Sequence, residues 1–317
     1  MITLSIIVPV YGVERFILSF ANSLIKQLNE SVELIIIDDG SQDKSIGNIK
    51  QFICENNFLT KDIVFLEQVN QGQSAARNYG ISVAKGRYIT FLDPDDTVKD
   101  NYIDSILKIL NLHKDIDILE YNADIFEKKI SSISKIGSIT LCNNTQFYVS
   151  DEVSRKKHID TEYWYSWVRV FKRDILPDNL FPKGYIYEDM MALPLLYTRK
   201  VRVYGLNESL VNYLVHSSNS LSIMKKSIVD SSAYGVNLYK KYSSIDDIYL
   251  GKYIKFIEIH SKNCVKFYGF FKAVKEISPI VRTFRRNKHK YLNKNFFVGR
   301  FYLINLFLYF IFYKIRK

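Results

Sequence analysis

Gly86–Asp96 reads GRYITFLDPDD, and its two halves carry opposite chemistry. Arg87 to Leu92 is aromatic and β-branched, the composition of a short buried strand. Asp93, Asp95 and Asp96 follow, with Pro94 between the first two. Proline has no N–H to give to a strand ladder, so the strand stops there. Three carboxylates this close repel one another and lose hydration together. An acidic cluster at the carboxyl end of a buried strand lies where an open α/β sheet places its ligand. A hard divalent cation satisfies such carboxylates and can hold a diphosphate. The same residues can also form a plain acidic turn, with Asp95 or Asp96 capping the helix expected from about Asp100.

Upstream, strands and helices alternate. Ile2 to Val10 is an apolar run closed by Pro9-Val10-Tyr11-Gly12. Phe16, Ile17, Phe20, Ala21, Leu24, Ile25 and Leu28 then recur at helical spacing, with Glu14 placed in the first turn. Val32 to Ile37 is a second buried strand and runs into Asp38-Asp39-Gly40-Ser41; Asp43 opens a helix to about Cys54. Ile63 to Leu66 is a third strand. Asn70 to Ser74 is a polar turn opening a helix through Ala75, Ala76, Tyr79 and Val83. Four alternations with short connections imply a Rossmann-like, mostly parallel sheet with helices on both faces. Tyr11, Asp38-Asp39 and the DPDD carboxylates then gather at one sheet edge. No GxGxxG follows the first strand and no GxxxxGK[ST] occurs, which disfavours dinucleotide-fold and P-loop readings.

The chain has 317 residues, 47% of them hydrophobic, enough for a large core and too apolar for disorder. The net charge of +11 admits nucleic acid, an anionic membrane or anionic substrates as partners. The first hundred residues are roughly balanced in sign while basic residues crowd the C-terminal tail, so a membrane surface is favoured and no nucleic-acid partner is expected. Cys54, Cys142 and Cys264 are widely spaced without CxxC, the pattern of reduced thiols in a cytoplasmic compartment with no zinc site. The N-terminus predicts no signal peptide.

SIIVPVYG (5–12), IIIDDGSQD (35–43), NQGQSAARNYGI (70–81) and GRYITFLDPDD (86–96) together resemble family 2 glycosyltransferases of the GT-A fold, of the bacterial surface-polysaccharide type. The resemblance implies an inverting transferase using a UDP-sugar donor and Mn²⁺ or Mg²⁺. It places Pro9, Val10 and Tyr11 around the base and Asp39 in a hydrogen bond to it, with Asp38 alongside. Arg77 falls near the nucleotide or its phosphates, and Glu14 joins the nucleotide-binding set. Asp93 and Asp95 become the DxD pair, Asp95 on the metal and Asp93 on the ribose, sugar or metal. Asp96 is either a second ligand or the cap of the next helix.

The resemblance continues downstream. Trp167-Val168-Arg169-Val170-Phe171-Lys172-Arg173 is similar to the family's tryptophan-containing strand, which makes Trp167 and Arg169 acceptor residues; the family usually has Lys at position 169. Tyr187-Glu188-Asp189-Met190 matches its ED pair, with Asp189 as general base and Glu188 orienting it or binding acceptor. Those two carboxylates can also simply charge a helix N-terminus. Tyr213-Leu214-Val215-His216 with Ser217, Ser220 and Ser222 resembles a Tyr-x-x-His…Ser block, which makes His216 a metal or diphosphate ligand; the family often has Arg where Leu214 stands.

A helix is expected from about Asp100 to Leu112, a strand over Ile116–Tyr121, a Ser/Asn-rich hairpin or loop over Lys128–Val149, and helix from about Met224 to Phe271. Phe301 to Tyr313 is apolar but short of the ~20 residues needed to span a bilayer, and basic residues flank it. It suits an interfacial helix on the cytoplasmic face of the inner membrane, or a helix buried against the protein or a partner subunit. The expected divisions are 1–97 for the nucleotide-sugar half, 98–222 for the acceptor half, 223–290 for a helical extension and 291–317 for a membrane-associating helix. The function expected is transfer of one sugar to a hydroxyl of a lipid-linked glycan in surface-polysaccharide biosynthesis. The competing expectation is a non-catalytic nucleotide-sugar or glycan-binding protein of the same fold. Oligomeric state is not legible.

Overall fold

The computed structural model describes residues 1–58, 61–128, 132–149, 156, 158–160, 163–198, 201–216, 225–287 and 302–315. They form two compact units. The first comprises residues 1–154, 162–184 and 188–217, and the second 155–161, 185–187 and 218–317. The expected divisions at 222/223 and 290/291 lie outside the described residues.

The first unit is built on one ten-stranded sheet. Its strands are β1 (Leu4–Val10), β2 (Val32–Asp38), β3 (Ile63–Glu67), β4 (Tyr88–Phe91), β5 (Thr97–Val98), β6 (Ile118–Lys128), β7 (Ile133–Ile139), β8 (Gln146–Val149), β9 (Arg169–Lys172) and β10 (Arg202–Val215). The order is β3-β2-β1-β4-β9-β6-β10-β5, with β7 on β6 and β8 on β10. The pairs β3-β2-β1-β4 are parallel, β9 runs antiparallel between β4 and β6, and β10 is parallel to β6. Order reverses across β1 and β4, the kind of crevice where open α/β sheets bind ligands.

The helices are α1 (Ile17–Leu24), α2 (Ser45–Glu55), α3 (Gln73–Val83), α4 (Tyr102–Leu112) and α5 (Glu188–Ala192). Strand alternation decides which helix packs where. Leu4, Ile6, Val8 and Val10 of β1 share one core cluster with Ile17, Phe20, Ala21 and Leu24 of α1. Ile7 points the other way, where Gly80 of α3 sits so near that an added Cβ would lie 2.5 Å from it. The two faces of β1 are therefore covered by different helices. Gly40 (φ +75°) lets the turn after β2 approach Asn70, whose backbone nitrogen would be 3.1 Å from a Cβ there.

Two expectations change. Neither Asp95 nor Asp96 caps α4: the preceding residue is Asn101, with no side-chain cap bond. Glu14 precedes α1 rather than lying in its first turn; its carboxylate accepts from the Lys44 N–H while its own N–H donates to Asp43. The stretch after Lys128 contains β7, antiparallel along β6, which agrees with the hairpin of the two expected alternatives.

The second unit is helical. It contains α6 (Lys226–Ile245), α7 (Leu250–Tyr268), α8 (Phe270–Asn287) and α9 (Tyr302–Ile315). The expected continuous helix is broken twice: at Asp246, whose carboxylate accepts from the Ile248 N–H, and at Gly269 with φ +81°. Tyr239 of α6 stacks on Phe256 of α7, and Phe270 of α8 meets Phe307 of α9. Leu306 and Tyr302 are buried, whereas Leu303, Ile304, Phe307, Leu308 and Ile311 form an exposed apolar stripe on α9. No helix among the described residues is long and apolar enough to cross a membrane.

Candidate active site

β4 ends at Phe91, and the chain turns through DPDD with the Asp96 N–H donating to the Asp93 carbonyl. Asp96 is 3% exposed. One carboxylate oxygen accepts from the Leu214 N–H at 2.7 Å, and the other is buried without a hydrogen bond among the described residues. Burial, with Asp95 and Asp93 alongside, holds its pKa well above the usual carboxylate range. Asp95 Oδ2 lies 3.0 Å from His216 Nε2, and the imidazole is oriented by stacking on Phe16 at 4.5 Å. Burial and Asp93 raise the Asp95 pKa.

These residues fit a divalent cation. A buried carboxylate oxygen without a hydrogen bond among the described residues, beside a carboxylate–imidazole pair, offers oxygen and nitrogen ligands. Among the described residues no three His, Cys, Asp or Glu groups form a self-contained centre. Mg²⁺-type sites commonly take one or two protein ligands and complete their shell with substrate phosphates and water.

Arg77 joins this turn to the second acidic pair. It projects from α3 at 2% exposure, with NH2 at 2.7 Å from Asp93, NH1 at 2.7 Å from Glu188 and the same NH1 at 3.5 Å from Asp189. Burial opposes its charge, but the three carboxylates outweigh that and raise its pKa. The Arg77 guanidinium, expected near the nucleotide or its phosphates, is enclosed by these carboxylates. Gln73 adds a second donor to Glu188 at 2.6 Å.

Glu188 and Asp189 open α5, entered through Tyr187 at φ +70°, a conformation costly for a tyrosine. The Ser166 N–H donates to Asp189 Oδ2 at 2.9 Å. Asp189 Oδ1 is buried with no hydrogen bond among the described residues, and its charged neighbour is Arg77 NH1 at 3.5 Å. Burial raises the Asp189 pKa against the pull of Arg77. Glu188 is pushed up to about 7 by burial and by Asp189, again against Arg77. The folded state therefore holds the Glu188 proton more tightly than the unfolded state does. Stability should fall as pH rises from about 4.5 to about 7, by at most about 1.4 kcal/mol per pH unit from this group. Urea melts across that range should show the decline, flattened in Glu188→Gln; an unchanged slope would contradict the assignment.

At the β1–β2 end, Asp39 is 2% exposed and accepts from Gln68 Nε2, the Gln71 N–H and the Gly72 N–H. Three of its four lone-pair positions are taken, leaving one on Oδ2 for a base N–H. Asp38 accepts from the Ser41 N–H. Pro9 and Val10 are buried, so of the three residues expected around a base only Tyr11, 54% exposed, presents its side chain to solvent. Glu14 is exposed and tied to Lys44.

Arg169 departs further from expectation. At 1% exposure it cannot reach an acceptor: Nε donates to Glu120 and Tyr197, and NH1 and NH2 donate to the carbonyls of Tyr165 and Tyr163. It braces the segment that carries Ser166. Trp167 is 3% exposed and clusters with Tyr165 and Tyr213, which also stack on each other. Sequence reasoning did not find Gln73, Phe16 or the Ser166 N–H. Gln73 lies within a block already singled out and carried a signal; a backbone donor carries none.

The mixed sheet, parallel through β3-β2-β1-β4, with its acidic turn after β4 and helical C-terminal region is the GT-A fold. The S. aureus TarS 1–349 structure in complex with UDP-GlcNAc superimposes with a TM-score of 0.68 over 100% of this chain and 93% of that one, at 16% identity. The glycosyl transferase family 2 model matches residues 5–171, and the chain belongs to that family of glycosyltransferases. It is 26% identical to glycosyltransferase GlyA of Streptococcus pneumoniae over 82% of its own length, and 32% identical to the minor teichoic acid biosynthesis protein GgaB of Bacillus subtilis over 68%. The matches span 38% and 23% of those two longer proteins.

Proposed function

We propose that the protein transfers one sugar from a UDP-sugar, with inversion, to a hydroxyl of a lipid-linked glycan in bacterial surface-polysaccharide biosynthesis. The observation that carries the reading is the Arg77 bridge: one buried guanidinium ties Asp93 of the DxD turn to Glu188 and Asp189 of the ED pair. Both acidic sets thus border one reaction space. The likeness to TarS, seen with UDP-GlcNAc, supports a UDP-sugar donor. The relationship to GgaB supports a surface-polymer acceptor.

In this mechanism Asp95 and His216 would hold Mn²⁺ or Mg²⁺, with Asp96 beside them. The cation supplies Lewis-acid stabilisation of the leaving diphosphate. Tyr11 offers a face to the base, and Asp39 accepts from it. Asp93 is held by Arg77 toward the ribose or sugar. Asp189, oriented by the Ser166 N–H, takes the proton of the acceptor hydroxyl through Oδ1 as that oxygen attacks the anomeric carbon. Glu188 keeps Arg77 and Gln73 in place. Asp95→Ala should weaken metal-dependent UDP binding by about 10- to 100-fold, measured by calorimetry with Mn²⁺ and with a chelator. Equal UDP affinity with and without metal in the native chain would overturn the metal role.

The exposed stripe of α9 is the proposed contact with the cytoplasmic membrane face. Exposed Phe267 and Phe271, with Lys266, Lys272 and Lys314, give the same unit apolar and cationic surface. The full chain should float with phosphatidylglycerol vesicles and not with neutral ones. Combined Leu303→Ser, Phe307→Ser and Leu308→Ser should abolish this; flotation by the triple variant would remove α9 from the role.

A further inference from the structure

Residues 163–165 lead, through extended backbone at Tyr165, into a single 3-10 turn over Ser166–Val168. Trp164 and Ser166 turn inward, at 2% and 0% exposure. Tyr163, Tyr165, Trp167 and Tyr213 form an aromatic cluster in which Tyr165 also lies 6.5 Å from Tyr213. Tyr163 lies 6.4 Å from Tyr165, Tyr165 5.0 Å from Trp167, and Trp167 5.3 Å from Tyr213 of β10, with interplanar angles of 30°, 21° and 19°. The inner end of the stack is buried, while Tyr163 and Tyr165 stay 40% and 36% exposed.

This outer part is held rigidly. The buried Arg169 donates to the carbonyls of both tyrosines and is itself fixed by Glu120 and Tyr197. The Trp164 ring lies 4.9 Å from the guanidinium and edge-on to Tyr197. Tyr121 donates to the Trp167 carbonyl at 2.7 Å, and Thr90 to the Arg169 carbonyl at 2.9 Å. A buried ion pair and two buried hydroxyls thus support a short segment with two tyrosines toward solvent. Packing alone does not call for that expenditure of buried polar groups, whereas a preorganised contact surface does. The segment also carries the Ser166 N–H that orients Asp189, so Tyr165 is one residue from the anchor of the proposed base.

We propose that Tyr163 and Tyr165 form an aromatic ledge that seats a pyranose ring of the acceptor, setting which hydroxyl reaches Asp189. The inference rests on the glycosyltransferase reading and adds that the acceptor presents a sugar ring, not an acyclic polyol, next to the attacking hydroxyl. The C–H face of a pyranose is apolar and flat enough to pack on a tyrosine ring. A tyrosine has few rotamers to freeze, so the contact costs little entropy. Tyr165, between Tyr163 and Trp167, carries the main contact.

The test uses the full chain with UDP and Mn²⁺. Saturation-transfer NMR is recorded with methyl β-D-glucopyranoside, methyl β-D-galactopyranoside and methyl 2-acetamido-2-deoxy-β-D-glucopyranoside, with glycerol as the acyclic comparison. Ring C–H protons of at least one pyranoside should be saturated and glycerol should not. Tyr165→Ala should remove the signal, Tyr163→Ala should reduce it severalfold, and Tyr165→Phe should keep it. Circular dichroism checks that the variants fold. UDP binding with no pyranoside signal, or a signal unchanged in Tyr165→Ala, overturns the ledge and leaves the transferase reading standing. Loss of UDP binding in the native chain overturns the transferase reading and this inference with it.

Discussion

Asp189→Asn is expected to lower turnover by about 10²- to 10⁴-fold, the range that a positioned general base contributes. Asparagine is nearly isosteric and can still accept the Ser166 N–H, so the site keeps its shape. What disappears is the basicity of Oδ1, which is buried without a hydrogen bond in the native chain. UDP affinity should therefore change little, and the defect should appear in kcat for incorporation of labelled sugar into the glycan fraction. Full turnover by the variant would eliminate Asp189 as the base. Loss of UDP binding would instead show that the substitution damages the donor site.

Arg77→Ala is expected to have the largest effect on stability. It leaves Asp93, Glu188 and Asp189 together with no cation in contact, and removal of one partner from a buried ion pair typically costs 3–5 kcal/mol. At the size of this chain that corresponds to a fall in Tm of roughly 10 °C. Arg77→Lys keeps the charge but not the fork that reaches two carboxylates at 2.7 Å, so it should recover part of the loss. Thermal melts of the two variants check the order. If Arg77→Ala melted within a degree or two of the native chain, the three carboxylates would have to be neutral without it.

The first half of the sheet was legible because each element announces itself. β1, β2 and β4 are short apolar runs, each closed by a turn residue or a carboxylate, and buried parallel strands need that composition on both faces. The ED pair was legible through its resemblance to the family's block, since two adjacent carboxylates before a helix can also simply charge its N-terminus. β10 was not, beyond its last residues. Its sequence RVYGLNESLVNYLV is interrupted by GLNES, which reads as a turn, while the structure carries the strand through it with two register shifts against β6. The role of Arg169 was hidden for another reason. An arginine in an apolar strand suggests a ligand contact, and the partners that occupy it instead are a glutamate 49 residues away in sequence, a tyrosine and two main-chain carbonyls.

The irregular middle of β10 has a mechanical consequence. Between its Leu206–Tyr121 and Val211–Ala123 pairings, β10 contains three more residues than β6. Three is odd, and side chains alternate along a strand, so this excess sets the phase of everything beyond it. Downstream, in consecutive order, come Tyr213 against Trp167, the Leu214 N–H on Asp96, and, two residues on, His216 against Asp95. Removing a single residue from 207–210 would transpose those three assignments together while leaving the pairing on either side intact. The bulged stretch thus works as a key that indexes one strand's output to two different ends of the reaction space.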